Sequence, residues 1–169
     1  NTYTGVTKVT AGSVTLDANS AFGSSRLLAV ENGTVNFSTV SQTLGSIDVG
    51  VSGNITGISG TGMVTLGSDA YADGISTISG QHSDFDTNLT LANGHTLTLN
   101  DTFGIGDTGT VVLGGDTKLV INDIDGGDLT KIVSGEAGAN VRLSGSGFEI
   151  SADNKNYRGN WTFTDGTTV

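Results

Sequence analysis

Three groups of residues carry side chains suited to chemistry. Asp123, Asp125 and Asp128 fall in the run Asp123-Ile124-Asp125-Gly126-Gly127-Asp128. Oxygen ligands at alternate positions, with glycine for a sharp turn, suit a calcium loop. The run lacks the twelfth-position glutamate of an EF-hand and the tandem Gly-Gly-x-Gly-x-Asp of calcium β-rolls, so a solvated acidic turn is the plainer reading. Asp84 and Asp86, split by Phe85, could flank a sugar as an acid/base pair beside Tyr71. Carboxylates at exposed strand positions are commonplace, however. His82 and His95 are the only histidines, and a metal site would need them to converge with a carboxylate. Serine is plentiful, but no Gly-x-Ser-x-Gly elbow sits in a strand–turn–helix context. Gly104-Ile105-Gly106-Asp107 is followed by no helix N-terminus that could hold a phosphate. No catalytic residue and no cofactor is assigned, and a non-enzymatic role is expected.

Whatever these residues do, short strands must position them. Val14-Thr15-Leu16, Val35-Asn36-Phe37, Val64-Thr65-Leu66, Leu89-Thr90-Leu91, Leu97-Thr98-Leu99 and Val141-Arg142-Leu143 each alternate apolar and polar residues. Each is bounded by Gly, Asn, Asp or Ser, which accept turn conformations. No stretch combines a 3.6 period with helix caps. The chain of 169 residues holds 27 Gly and no Pro or Cys, so a disulfide scaffold and thiolate metal sites are excluded. Its formal net charge of −10 argues against nucleic acid or an anionic membrane as a partner. No apolar run approaches the ~20 residues of a spanning helix, so no direct membrane insertion is expected. The chain starts at Asn1 with no signal-like region and ends abruptly at Val169, and is expected to be a segment of something longer.

The phrase Gly-x-Val-x-(Leu/Phe) recurs at Gly12, Gly33, Gly62 and Gly109. A longer self-match joins the two ends. Tyr3, Gly5 and Gly12 have the spacing of Tyr157, Gly159 and Gly166, and Val9 then coincides with Phe163. The offset is 154 residues, seven times 22, within the range of a solenoid repeat. The reading is an all-β, right-handed parallel β-helix of about seven turns over residues 1–169. Residues 154–169 would form a capping repeat, with a hairpin cap as one form for the C-terminal end. A β-sandwich is the competing fold, since short strands between regular turns also predict it. In a β-helix nearly every backbone N–H donates to a neighbouring turn, which proline cannot do. Outward Thr, Ser and Asn would stack into polar ladders.

The run from Asn1 to Leu16 carries Tyr3, Gly5, Val9 and Gly12 at the spacing N-x-Y-x-G-x-T-x-V-x-x-G-x-L-x-L, with Val14 where leucine is usual. It resembles the autotransporter-associated β-strand repeat. Ser41-Gln42-Thr43-Leu44-Gly45-Ser46-Ile47 resembles the phrase that follows in that family. Asn156-Tyr157-Arg158-Gly159-Asn160-Trp161 resembles a second, degenerate copy, departing at Trp161 and Lys155. The clear match covers about the first 66 residues.

The resemblance implies a piece of an autotransporter (type V secretion) passenger domain. Such a passenger is exported through the periplasm to the bacterial cell surface, carried by a fused outer-membrane β-barrel translocator not contained in this chain. It further implies an autochaperone role for the barrel-proximal end, with Tyr157, Trp161 and Phe163 as an aromatic cap; ordinary core packing is the alternative for these three. The expected function is that of a rigid stalk and folding segment of a surface adhesin or virulence factor. Two alternatives stand beside it: a face that self-associates or binds a host cell-surface or cytoskeletal protein, and a carbohydrate-active β-helix.

Overall fold

The structure is a computed structural model and describes residues 2–58, 62–67, 74–92, 94–123 and 127–164. Alternating residues make its strands, and glycine, asparagine and serine end them after three to six residues. The longest sheet stacks eight strands in the order β1 (Val6–Val9), β3 (Leu27–Val30), β6 (Ser46–Val49), β9 (Ile75–Ile78), β11 (Thr96–Leu99), β13 (Lys118–Asp123), β15 (Asn140–Gly145) and β16 (Asn160–Phe163). A second sheet stacks five, β5 (Gln42–Leu44), β8 (Met63–Leu66), β10 (Asn88–Leu91), β12 (Thr110–Leu113) and β14 (Ile132–Gly135). A third holds three, β2 (Ser13–Thr15), β4 (Thr34–Asn36) and β7 (Asn54–Thr56). The one helical element among the described residues is a 3-10 turn at Thr102–Ile105.

Every pairing between these strands is parallel, and partners come from successive passes of the chain. This is a parallel β-helix of about six turns, and it removes the sandwich alternative. The eight strands of the long sheet are separated by seven register steps. One step is as short as 19 residues, from Leu27 to Ser46, and another as long as 29, from Asp48 to Thr77. Summed over all seven they carry Val9 to Phe163, the offset of 154 that the two ends share. The expected hairpin cap is not formed among the described residues. β16 lies parallel on β15, and Tyr157 bridges Gly135 in parallel, so the C-terminal segment adds one more pass to the solenoid. Its sequence explains this: Asn160-Trp161-Thr162-Phe163 alternates like every earlier rung and carries no turn residue in its middle.

The core is a stack of rows. Val9, Val30, Val49, Ile78, Leu99, Ile121 and Leu143 point inward, one above the other, and are all buried. Leu44, Leu66, Leu91 and Leu113 form a matching row on the second sheet. Phe37 and Phe85 meet in the interior with ring centroids 5.6 Å apart. Outward positions carry the expected polar ladders, as where Asn122 Nδ2 reaches Asn100 Oδ1 (3.4 Å) and Asn100 Nδ2 reaches Ser79 Oγ (2.9 Å).

Candidate functional site

The residues singled out for chemistry sit mostly at the corners between sheets. There the backbone turns too sharply for every N–H to find a carbonyl on the next turn, and side-chain oxygens take the missing place. Asp86 Oδ1 accepts the Thr108 N–H (2.9 Å), and Asn88 Oδ1 accepts both the N–H (3.0 Å) and the hydroxyl (3.2 Å) of Thr110. Asn19 Oδ1 accepts the Ser41 N–H (2.8 Å), and Asn154 Oδ1 accepts the Val133 N–H (2.7 Å). Each joins residues about one turn apart in sequence.

Asp128 belongs to the same set. Both its carboxylate oxygens accept the Ser151 hydroxyl, at 2.8 Å each, and Oδ1 also accepts the Ser151 N–H at 3.2 Å. Asp123 is the last residue of β13, its backbone paired with Gly145, and Asp125 lies outside the described residues. Among the described residues no three His, Asp or Glu side chains converge as metal ligands. The Asp84–Asp86 pair is divided in role, since Asp86 holds the 108 corner while Asp84 stands exposed. Tyr71 lies outside the described residues.

The two histidines do not share a site. His82 is buried; its Nε2–H donates to the Ser79 carbonyl (3.2 Å), and its Nδ1 lies 3.3 Å from the Asn54 side-chain oxygen. Burial lowers its pKa against the opposing pull of Ser79 and Asp101. His95 touches Ser76, the one place where the chain assembles two members of a nucleophilic set. The Ile47 N–H donates to Ser76 Oγ (2.9 Å), and that oxygen is also hydrogen-bonded to His95 Nε2 (2.8 Å). The other ring nitrogen, Nδ1, is buried and unpartnered among the described residues. Both side chains are fully buried, and burial alone pushes His95 down to about 4. The serine oxygen accepts a backbone N–H, both side chains are closed off from solvent, and among the described residues no acid orients Nδ1. The pair forms a buried core network.

Lys131 is a core residue that pattern reading missed. It lies at an inward slot between Leu129 and Val133 and is 1% exposed. Its Nζ donates to the carbonyls of Phe85 (3.3 Å) and Thr87 (3.2 Å), two turns back. Continuing the register of β10, β12 and β14 by one or two residues aligns Lys131 with Gly109 and Gly109 with Thr87. A Cβ at Gly109 would stand 2.7 Å from the Asp86 carbonyl and 3.2 Å from the Thr87 carbonyl that takes the lysine ammonium. Desolvation pushes the amine down to about 8, against the pull of Asp86 and Asp107. The only sequence signal was the alternation Leu129, Lys131, Val133, which hydropathy conceals.

Within the repeat motif the tyrosine and the glycine two residues on come together at each end. Tyr157 folds over Gly159, where a Cβ would stand 2.5 Å from its phenolic oxygen, and its hydroxyl donates to the Asn160 carbonyl (3.0 Å). Tyr3 folds over Gly5 in the same way and donates to the Val6 carbonyl. Gly12 has a φ of +74°, and its carbonyl takes the Thr34 N–H (2.8 Å). Tyr157 meets Trp161 edge-on at 5.3 Å, and Trp161 stacks parallel on Phe163 at 6.5 Å. Tyr157 and Trp161 pack against the core, while Phe163 is 48% exposed. The three aromatics thus line the last rung.

No protein-family model, curated protein or solved structure matches the chain.

Proposed function

We propose that this chain is a rigid stalk and folding segment of a secreted bacterial surface passenger of the autotransporter type, with no catalytic role. The observation that carries this reading is the single inward row from Val9 to Phe163, bracketed by two Tyr-x-Gly clamps of the same geometry. A row in which each rung rests on the next is a spacer whose length grows by one inter-strand distance, ~4.8 Å, per turn. Asp86, Asp128, Ser76 and His95 are engaged in hydrogen bonds between consecutive turns. In the proposed setting a fused outer-membrane β-barrel delivers the chain to the cell surface. The aromatic rung at Tyr157, Trp161 and Phe163 then serves as an early edge on which preceding turns fold, because a solenoid grows by adding turns to an existing edge.

The test is deletion of residues 154–169 from a full-length passenger fused to its barrel, with surface display followed by protease accessibility on intact cells. The proposal expects display of a folded passenger to be lost, with the barrel still inserted. Unchanged display of a protease-resistant passenger would overturn the folding role.

A further inference from the structure

We propose that Asn32 is a site of spontaneous deamidation, its side chain closing onto the backbone nitrogen of Gly33 as a succinimide. The chain holds two Asn-Gly pairs, Asn32-Gly33 and Asn93-Gly94. In such a pair the missing Cβ leaves the glycine nitrogen open to the carbonyl carbon of the preceding side chain. The fold treats the two nitrogens differently. The Gly94 N–H is donated to the Gly115 carbonyl (3.1 Å), and a nitrogen whose proton is held in a hydrogen bond is a poor nucleophile. The Gly33 N–H donates to no described residue. Its place in the turn from β3 to β4 explains this. A parallel ladder uses every second N–H, but here the next donors after Glu31 (to the Val9 carbonyl, 3.0 Å) is Thr34 (to the Gly12 carbonyl, 2.8 Å), so 32 and 33 are passed over. The Asn32 side chain is exposed and bonds to no described residue, unlike Asn19, Asn88 and Asn154, whose Oδ1 atoms hold corner N–H groups.

The reaction needs only water. The Gly33 nitrogen gives up its proton and attacks Asn32 Cγ. The Cγ–Nδ2 bond breaks, and the departing nitrogen takes up a proton and leaves as ammonia. Water then opens the five-membered ring at either carbonyl. Breaking the bond from Cγ to nitrogen leaves aspartate at position 32. Breaking the bond from the main-chain carbonyl carbon to nitrogen leaves isoaspartate, whose main chain runs through Cγ and is one carbon longer. The corner has no room for that carbon. A Cβ at Gly33 would stand 2.5 Å from Val9 Cγ1 and 3.0 Å from the Gly12 carbonyl. The Gly33 carbonyl takes the Asn54 N–H (2.9 Å), and β4 then pairs with β2 on one side and β7 on the other. Isoaspartate therefore pulls the third sheet out of register. Aspartate only adds a negative charge next to Glu31, whose carboxylate Lys8 holds at 2.8 Å.

The experiment incubates the whole chain at mildly alkaline pH, folded or in urea. Conversion at each asparagine is then followed peptide by peptide by mass spectrometry, with isoaspartyl methyltransferase marking the isoaspartate product. In the folded chain Asn32 is expected to convert at least about fivefold faster than Asn93, the factor that a typical backbone hydrogen bond supplies. In urea, where the Gly94 bond is lost, the two should convert at similar rates. The isoaspartate form, isolated by chromatography, should melt below the native chain, while Asn32→Asp should melt close to it. Asn93 converting as fast as Asn32 in the folded chain, an Asn32 that converts only in urea, or a preference for Asn32 that persists in urea would each overturn the proposal. An isoaspartate form that melts together with Asn32→Asp would overturn the effect on register.

Discussion

The phenol ring of Tyr157 rests on the bare α-carbon of Gly159, and its hydroxyl reaches both the Asn160 carbonyl of its own turn and the Ala139 carbonyl of the turn before. A methyl group at position 159 would displace the ring and strike that earlier carbonyl. Gly159→Ala should therefore destabilise the chain by about 1–3 kcal/mol, the usual cost of overpacking. Tyr157→Phe keeps the ring and loses only the hydrogen bonds, about 1 kcal/mol. Urea unfolding of the two variants should rank them in that order. Equal effects would mean that the glycine is not needed for the ring to seat.

Lys131 and Gly109 make a second dependent pair. The Lys131 ammonium reaches the Thr87 carbonyl, and a Cβ at Gly109 would stand 3.2 Å from that same oxygen. Gly109 also has a φ of +92°. Gly109→Ala should cost about 2–4 kcal/mol, combining backbone strain with a clash against the Asp86 carbonyl, 2.7 Å from the new Cβ. Because that Cβ also crowds the Thr87 carbonyl that Lys131 holds, Gly109→Ala and Lys131→Met should be non-additive in a double-mutant cycle.

The buried amine also sets a pH dependence. Its folded pKa is depressed to about 8. Between that value and the unfolded value of 10.5, only the unfolded chain holds the extra proton. Stability should therefore rise as pH climbs from about 8 toward 10, by up to about 3 kcal/mol. Above 10 the Tyr157 phenol, whose pKa burial raises, ionises first in the unfolded chain and opposes the rise. Chemical unfolding at pH 7.5 and 9.5 should show the gain in the wild type and not in Lys131→Met.

That Val9 and Phe163 stand on one row was legible in the sequence, from their equal spacing to Tyr3-x-Gly5 and Tyr157-x-Gly159, although single steps vary from 19 to 29 residues. The recurring Gly-x-Val-x-(Leu/Phe) phrase and its irregular spacing were legible too, but the cause of that irregularity was not. Gly12 and Gly33 lead into β2 and β4 on the third sheet, whereas Gly62 and Gly109 precede β8 and β12 on the second, so the phrase marks two faces. The buried roles of Ser76, His95 and Lys131 stayed hidden for one reason. All three occupy inward slots of the alternation, and a polar residue there reads as outward until its partner, 19 to 46 residues away, is placed. The corner carboxylates misled in the opposite direction. Asp128 looks like a ligand in sequence because a side chain that serves the backbone uses the same oxygens as one that binds a cation.

Ser76 interrupts the row Leu28, Ile47, Leu97, Leu119, and its hydroxyl is shared between the Ile47 N–H and His95. Ser76→Ala leaves the buried Ile47 N–H without its acceptor and His95 Nε2 without its hydroxyl partner. The expected cost is about 1–3 kcal/mol despite the gain in apolar character. His95 adds an acid limb. Its folded pKa lies near 4, below the unfolded 6.5, so the unfolded chain binds the proton first. Stability should fall as pH drops from 6.5 toward 4 and change no further below that on this account. Thermal unfolding of wild type and His95→Gln across pH 4–7 should diverge in slope; parallel curves would show that another group governs the acid limb.

Asp128 tests the calcium reading against the corner reading directly. With both its oxygens engaged by Ser151 and its backbone bridged to Glu149, it holds the 149–151 segment to the turn before it. Asp128→Ala and Ser151→Ala should each cost on the order of 1 kcal/mol, since the site is partly exposed, and the double variant should cost little more than either. Millimolar calcium should leave the melting temperature of the wild type unchanged, because among the described residues no three His, Asp or Glu side chains converge there and Asp128 is turned onto the Ser151 hydroxyl and N–H. A calcium-dependent rise in melting temperature that disappears in Asp128→Ala would reverse the assignment: the residue would then be a ligand, and its contact with Ser151 only the arrangement it adopts when the ion is absent.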